Sequence, residues 1–254
     1  MGSAQAAPAW VPALEDNWQW QLTGDLNTGY DVDVYDIDLF DTPRETIDAL
    51  HAAGRRVVCY FSAGSAENWR EDFSRFAEAD KGNPLEDWEG ERWLDTGSRN
   101  VRAIMQDRLK LAADKGCDGV EPDNLDGYQN ENGLSLTPQS ARDFEHFLAA
   151  AAHDLGLAIG LKNDTDNVAV MAETFDFAVN EECFQYEECD VYAAFTGLGK
   201  PVFTAEYEDR FLENTDGARD ALCAASRAMK LHTLVLAWDL DDSVRFSCDE
   251  TGAR

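Results

Sequence analysis

Gly119-Val120-Glu121-Pro122-Asp123-Asn124 is the stretch on which the fold turns. It follows a helix-like segment, Asn100 to Lys115, and ends on carboxylates before a second helix-like segment from Pro138 to Leu155. A short strand between helices, polar at its C-terminal end, is one unit of a parallel sheet with crossover helices.

Outward from this unit the alternation recurs. Apolar or β-branched runs occupy Trp18 to Leu22, Val32 to Ile37, Arg56 to Phe61, Gly119 to Asp123, Leu157 to Leu161, Phe177 to Glu181, Pro201 to Ala205 and Thr233 to Trp238. Helix patterns fall at Pro43 to Ala53 and Ala218 to Met229 as well, with Pro43 and Pro138 near first turns, where proline is tolerated. Strand count and the lack of a Gly-rich phosphate loop after an early strand predict an α/β fold, a (β/α)8 TIM barrel in a single domain, over an open doubly wound sheet. The segment from Ala66 to Gly97, rich in tryptophan and acids, is too long for a simple connection and is expected to be an elaborated βα-loop above the barrel.

The 254 residues suit one such barrel, with no internal repeat and no linker dividing them. Met1 to Pro8 has neither a basic region nor an apolar run, so residues 1–9 read as a cloning scar on a trimmed mature end and residues 10–254 as the barrel. No apolar run is long enough to span a bilayer. The formal charge of −29, from 50 acids against 21 bases, argues against nucleic acid as a partner and leaves a cationic polymer admissible.

Cys59, Cys117, Cys183, Cys189, Cys223 and Cys248 form an even set without zinc-ligand spacing, which favours disulfides and a secreted, extracellular protein. Only Cys183 and Cys189 are close enough in sequence to predict a pair, a clamped short loop. Cys59, inside an apolar run, best fits the alternative of a buried free thiol.

In a barrel of this kind the reactive groups lie where strands end and βα-loops begin. Those points carry Asp36 and Asp38, Tyr60, Glu121, Asp123 and Asn124, Lys162 and Asn163, Glu181 and Glu182, Glu206, and Trp238. Carboxylates crowded on a barrel mouth cannot all ionise at their usual pKa, and glycoside hydrolysis needs one protonated acid beside one anion. Asp123 with Glu181 or Glu182 directly follow apolar strands and form the candidate pair. Asp126 is expected in the loop as a solvated or substrate-orienting group. Lys162 reads as the partner of a catalytic carboxylate, a sugar ligand or a structural ion pair, with Schiff-base chemistry the minority option. Tyr60, Phe184, Tyr186 and Trp238 can stack on sugar rings or pack in the core.

His51, His146, His153 and His232 fall in helix patterns or at the wrong barrel end, which argues against a Ser-His-Asp triad and a metal-dependent deacetylase. No metal and no cofactor is called for. Asp31, Asp33, Asp36 and Asp38 alternate with apolar residues and lack the glycine and terminal glutamate of a calcium loop.

Three motifs in order, Gly119 to Tyr128, Gly160-Leu161-Lys162-Asn163, and Asn180-Glu181-Glu182-Cys183-Phe184-Gln185-Tyr186, resemble glycoside hydrolase family 114, a similarity running from Trp18 to about Asp239. The resemblance implies a TIM-barrel endo-α-1,4-polygalactosaminidase that cuts galactosamine-containing exopolysaccharide; the chain itself is expected to be a monomer. It also implies Asp123 as a catalytic carboxylate, with Glu181 as its partner and Glu182 the alternative. Asp36, Tyr60, Asn124, Lys162, Asn163, Glu206 and Trp238 are the expected sugar-binding residues. A barrel that binds carbohydrate without turnover, or a glycosidase of another polysaccharide, is the competing reading.

Overall fold

Strand parity and helix caps lay out the chain as the alternation predicts. A computed structural model describes residues 7–250, so the first six residues of the expected trimmed end lie outside the described residues. In chain order come β1 (Trp18–Gln21), β2 (Val34–Asp38), α1 (Arg44–Ala52) and β3 (Arg56–Ser62). An insert of β4 (Ser65–Glu67), β5 (Lys81–Pro84) and β6 (Glu91–Leu94) precedes α2 (Arg99–Lys115), β7 (Gly119–Asp123), α3 (Pro138–Asp154) and β8 (Ala158–Lys162). The chain continues through α4 (Val168–Met171), β9 (Phe177–Glu181), α5 (Ala193–Thr196) and β10 (Val202–Glu206). It ends with α6 (Asp209–Leu212), α7 (Ala218–Met229), β11 (His232–Leu236) and β12 (Arg245–Ser247).

The main sheet runs β1-β2-β3-β7-β8-β9-β10-β11-β12, its first eight strands mutually parallel and β12 antiparallel to β11. These eight match the expected runs within two residues at each end. The sheet curls until its ends meet: the Trp18 indole N–H donates to His232 O at 2.9 Å, and Leu22 N to Leu240 O at 3.0 Å. The fold is thus the TIM barrel expected, with two departures. No helix joins β1 to β2, because Gln21 ties that connection down, accepting from Asn27 N and donating to Thr23 O and Asp25 O. After β11 the chain returns as a strand in place of an eighth helix.

Side chains of period two divide the core. Trp18, Trp20, Val34, Val58, Phe177, Val179, Phe203 and Leu234 fill the barrel interior. Their odd-even partners Tyr35, Ile37, Val57, Cys59, Val120, Ile159 and Leu161 face the helices. Helix ends follow their caps: Ser98 accepts from Asn100 N at the start of α2, which Gly116 closes at φ 93°, and Thr137 accepts from Ser140 N where Pro138 opens α3.

The Cys183–Cys189 pair forms as expected, with Cα atoms 4.8 Å apart. Cys59 is not a free thiol: it faces outward from β3 and bonds Cys117 beyond the end of α2, and Cys223 bonds Cys248. Among the described residues no helix is long and apolar enough to cross a membrane.

Candidate active site

The parity that fills the barrel with Val58, Val179 and Ala205 also points Tyr60, Glu121, Asp123, Lys162, Glu181 and Tyr207 inward at the C-terminal strand ends. Above them opens a cleft of about 440 Å³, roofed on one side by Leu85, Trp88 and Trp93 of the insert. The long connection expected to shape a cleft does so with its own three-stranded sheet, β4-β6-β5.

At the cleft floor Lys162 Nζ stands 3.3 Å from Asp123 Oδ2, 3.1 Å from Glu181 Oε2 and 2.8 Å from Glu121 Oε1. Burial opposes its charge, but Asp123, Glu121 and Glu181 outweigh burial and hold the ammonium well above its usual pKa. Its ammonium also faces the rings of Trp20 and Tyr60, with centroids 4.8 and 5.6 Å away. The Tyr60 hydroxyl donates to Asp123 Oδ2 at 3.0 Å, and Asn124 N donates to Asp123 Oδ1 at 2.6 Å. The Tyr207 hydroxyl donates to Glu181 Oε1 at 2.6 Å. The Asp123 side chain is 15% exposed and that of Glu181 28%, so both reach the cleft while Lys162, at 1%, does not.

Strain accompanies this placement. Asn124, Asn163, Asp164 and Glu182, each directly after or near a site strand, adopt left-handed φ of 61°, 49°, 44° and 64°. Such conformations cost about 1 kcal/mol or more apiece and gather where geometry serves function. The sharp turn at Glu182 separates it from its neighbour: Glu181 meets Lys162 and Tyr207, whereas Glu182 lines the cleft rim, its carboxyl pushed up by burial and by Glu181.

The remaining expected residues divide. Asn163 Oδ1 accepts from Glu181 N at 2.9 Å and so orients the strand end; Asn124 Nδ2 donates to Ser62 Oγ at 2.9 Å. Trp238 is exposed and stacks with Trp88 at 6.3 Å between centroids. Asp36 does not line the cleft. It faces inward one layer below Glu121, 1% exposed, and neither of its oxygens has a donor. Burial and then the Glu121 charge push its carboxyl well above its usual pKa. Glu206 is also absent from the cleft, because its parity is that of the outward residues Val202 and Thr204. It accepts from Phe184 N and Gln185 N at 2.8 and 3.3 Å, anchoring the disulfide-clamped loop. Asp126 lines the cleft but is not freely solvated: burial, reinforced by Asp123 and Asp164, pushes its carboxyl up to about 7.

Sequence reasoning missed Tyr207, which parity from Phe203 and Ala205 would have found, and Glu91, which no periodic signal marks. Among the described residues no cluster of three or more His, Cys, Asp or Glu is arranged to hold a metal ion.

A closed parallel barrel with paired carboxylates at its C-terminal face, in a cleft walled by tryptophans, defines a glycoside hydrolase class of fold and site. The profile of glycoside-hydrolase family GH114 matches residues 2–253, and the chain belongs to that family, as its three motifs imply. It is similar to Aspergillus fumigatus Ega3, crystallised in complex with galactosamine, at 45% identity over 97% of this chain and 100% of that one, with a TM-score of 0.90. The glycoside hydrolase domain of PelA from Pseudomonas aeruginosa shares the fold at 15% identity, with a TM-score of 0.71 over 91% of this chain and 98% of that one. No curated protein sequence gives a match.

Proposed function

We propose that the protein is a secreted endo-α-1,4-polygalactosaminidase acting by a retaining two-carboxylate mechanism, with Asp123 as nucleophile and Glu181 as acid/base. The observation that carries the pair is their common anchor, Lys162, on which both carboxylates converge at the floor of an open cleft. One Nζ at 3.3 Å from Asp123 and 3.1 Å from Glu181 draws the two carboxyls together, which supports the closely spaced pair of a retaining enzyme over the wider spacing an inverting pair needs for its water.

Roles follow from surroundings. Asp123 is the more enclosed and receives donors from Lys162, Tyr60 and Asn124 N, the hydrogen-bond complement of an anion. Its oxygen bonds the anomeric carbon as the glycosidic C–O bond breaks, and Glu181 gives its proton to the departing oxygen. Glu181 then takes a proton from water, which attacks the anomeric carbon and releases Asp123. The more exposed carboxyl suits that second step. Glu182, without the Lys162 and Tyr207 contacts, is set aside as the partner.

The galactosamine bound to the similar Ega3 supports a hexosamine substrate. The acidic cleft rim, with Glu86, Asp87, Glu182 and Glu188, supports a cationic, deacetylated polymer. Three disulfides support an oxidising, extracellular setting. The test is mass spectrometry of α-1,4-galactosamine oligomers treated with the protein and with its Asp123→Asn and Glu181→Gln variants, beside NMR of the first anomer released. Internal cuts lost in both variants and an α-anomer first are expected; a β-anomer first rejects retention.

A further inference from the structure

Glu91 belongs to the insert rather than to the barrel, yet it lines the same cleft as Asp123. The insert is fixed to the backbone of Asp123 itself: Gly64 N donates to Asp123 O at 3.0 Å, and Leu94 N to Gly64 O at 2.9 Å. Only glycine fits there, since a Cβ on residue 64 would lie 1.7 Å from Asn124 O. β4 and β6 pair Glu67 with Glu91 and Ser65 with Trp93, and Glu91 lines the cleft wall close enough to Asp123 for the two charges to interact.

A polar chain joins the two carboxyls. Asn124, whose backbone N–H serves Asp123, donates from Nδ2 to Ser62 Oγ at 2.9 Å. An amide nitrogen only donates, so the Ser62 hydroxyl passes its own hydrogen to Ser65 Oγ at 2.6 Å, and Ser65 donates to Glu91 Oε2 at 2.5 Å. Glu91 Oε2 is thereby committed as an acceptor. Oε1 is left to meet a ligand.

We propose that Glu91 reads the nitrogen substituent of the sugar seated over Asp123, binding a free ammonium on C2 in preference to an acetamido group. The assignment rests on the reading of Asp123 as nucleophile, which places the anomeric carbon over that residue and the C2 nitrogen one carbon away. Burial pushes the Glu91 carboxyl up to about 7, the Ser65 hydrogen bond opposing and the charges of Glu67 and Asp123 adding to the rise, with Arg70 opposing. An ammonium brought against it supplies the missing counter-charge. A neutral acetamide leaves the buried carboxyl uncompensated and adds bulk in the cleft that Glu91 and Trp93 line.

The test is calorimetric binding of galactosamine and N-acetylgalactosamine to the protein and its Glu91→Gln variant, with melting curves for both. Expected is a preference for galactosamine that Glu91→Gln reduces about tenfold, a difference of one charge-assisted contact. Ser65→Ala, which keeps the carboxyl but removes the donor to Oε2, should retain the sense of the preference. Equal affinity for the two sugars in the unaltered protein, or equal losses for both in Glu91→Gln, overturns the proposal. Because monosaccharide binding needs no turnover, absent cleavage of oligomers would sink the hydrolase reading while this ratio still decides Glu91.

Discussion

Lys162 Nζ lies 2.8 Å from Glu121 Oε1, with both side chains closed to solvent beneath the two carboxyls that face the cleft. Removing one member of a buried pair strands the other charge and costs about 3 to 5 kcal/mol. Lys162→Met is expected to lower stability by that order and kcat by at least about 100-fold, since Asp123 and Glu181 lose their shared anchor. Combining it with Glu121→Gln should restore much of the melting temperature and none of the rate. Recovery of both would reduce Lys162 to a structural ion.

Glu145 of α3 is fully buried, and neither carboxyl oxygen has a hydrogen-bond donor. Burial, then the hydrogen bond and charge of Asp164, push it up to about 10 from the ordinary 4.5. A carboxyl whose pKa is raised on folding holds a proton that the unfolded chain has released. Its contribution is therefore full below about 4.5 and is lost as pH climbs toward about 10. Glu145→Gln should change the melting temperature little at pH ~5 and raise it at pH ~8, where the folded protein with Glu145 must still hold a proton that the unfolded chain has released. Identical pH dependence in the two proteins would show that Glu145 keeps no proton.

Most of the barrel was legible because period-two strands between capped helices leave a strong trace, as Gly119 to Asp123 and α3 illustrate. Strand ends alone were a coarser guide. Glu206 and Tyr207 are adjacent, yet one faces the helix layer and the other Glu181, and parity rather than polarity separates them. Asp36 has the right parity and sits one layer too deep. The Cys59–Cys117 bond spans 58 residues, and nothing local in sequence marks such a partner. Glu91 was hidden for the same reason: its place depends on how the insert packs on Asn124, a tertiary contact.

Trp238 is 49% exposed, stacks with Trp88 across the cleft and meets Tyr207 edge-on at 5.1 Å. An exposed aromatic pair at a sugar cleft contributes binding surface on sugars away from the reacting bond. Trp238→Ala should raise KM for long oligomers by about tenfold with kcat changed by less than about threefold. A collapse of kcat with KM intact would place the effect on Tyr207 and its bond to Glu181 instead.

The net charge of −29 is not spread away from the site: Glu86, Asp87, Asp126, Glu182 and Glu188 all line the cleft. Screening shrinks the reach of such a field from about 30 Å at 0.01 M salt to about 8 Å at 0.15 M. If the rim draws in a polycation, kcat/KM on galactosamine oligomers should fall several-fold over that range. The same measurement on partly N-acetylated oligomers, which carry fewer positive charges, should fall less steeply. Parallel declines on both would assign the salt effect to the protein's own stability, and a rise with salt on both would mark the acidity as a high-salt adaptation unrelated to substrate capture.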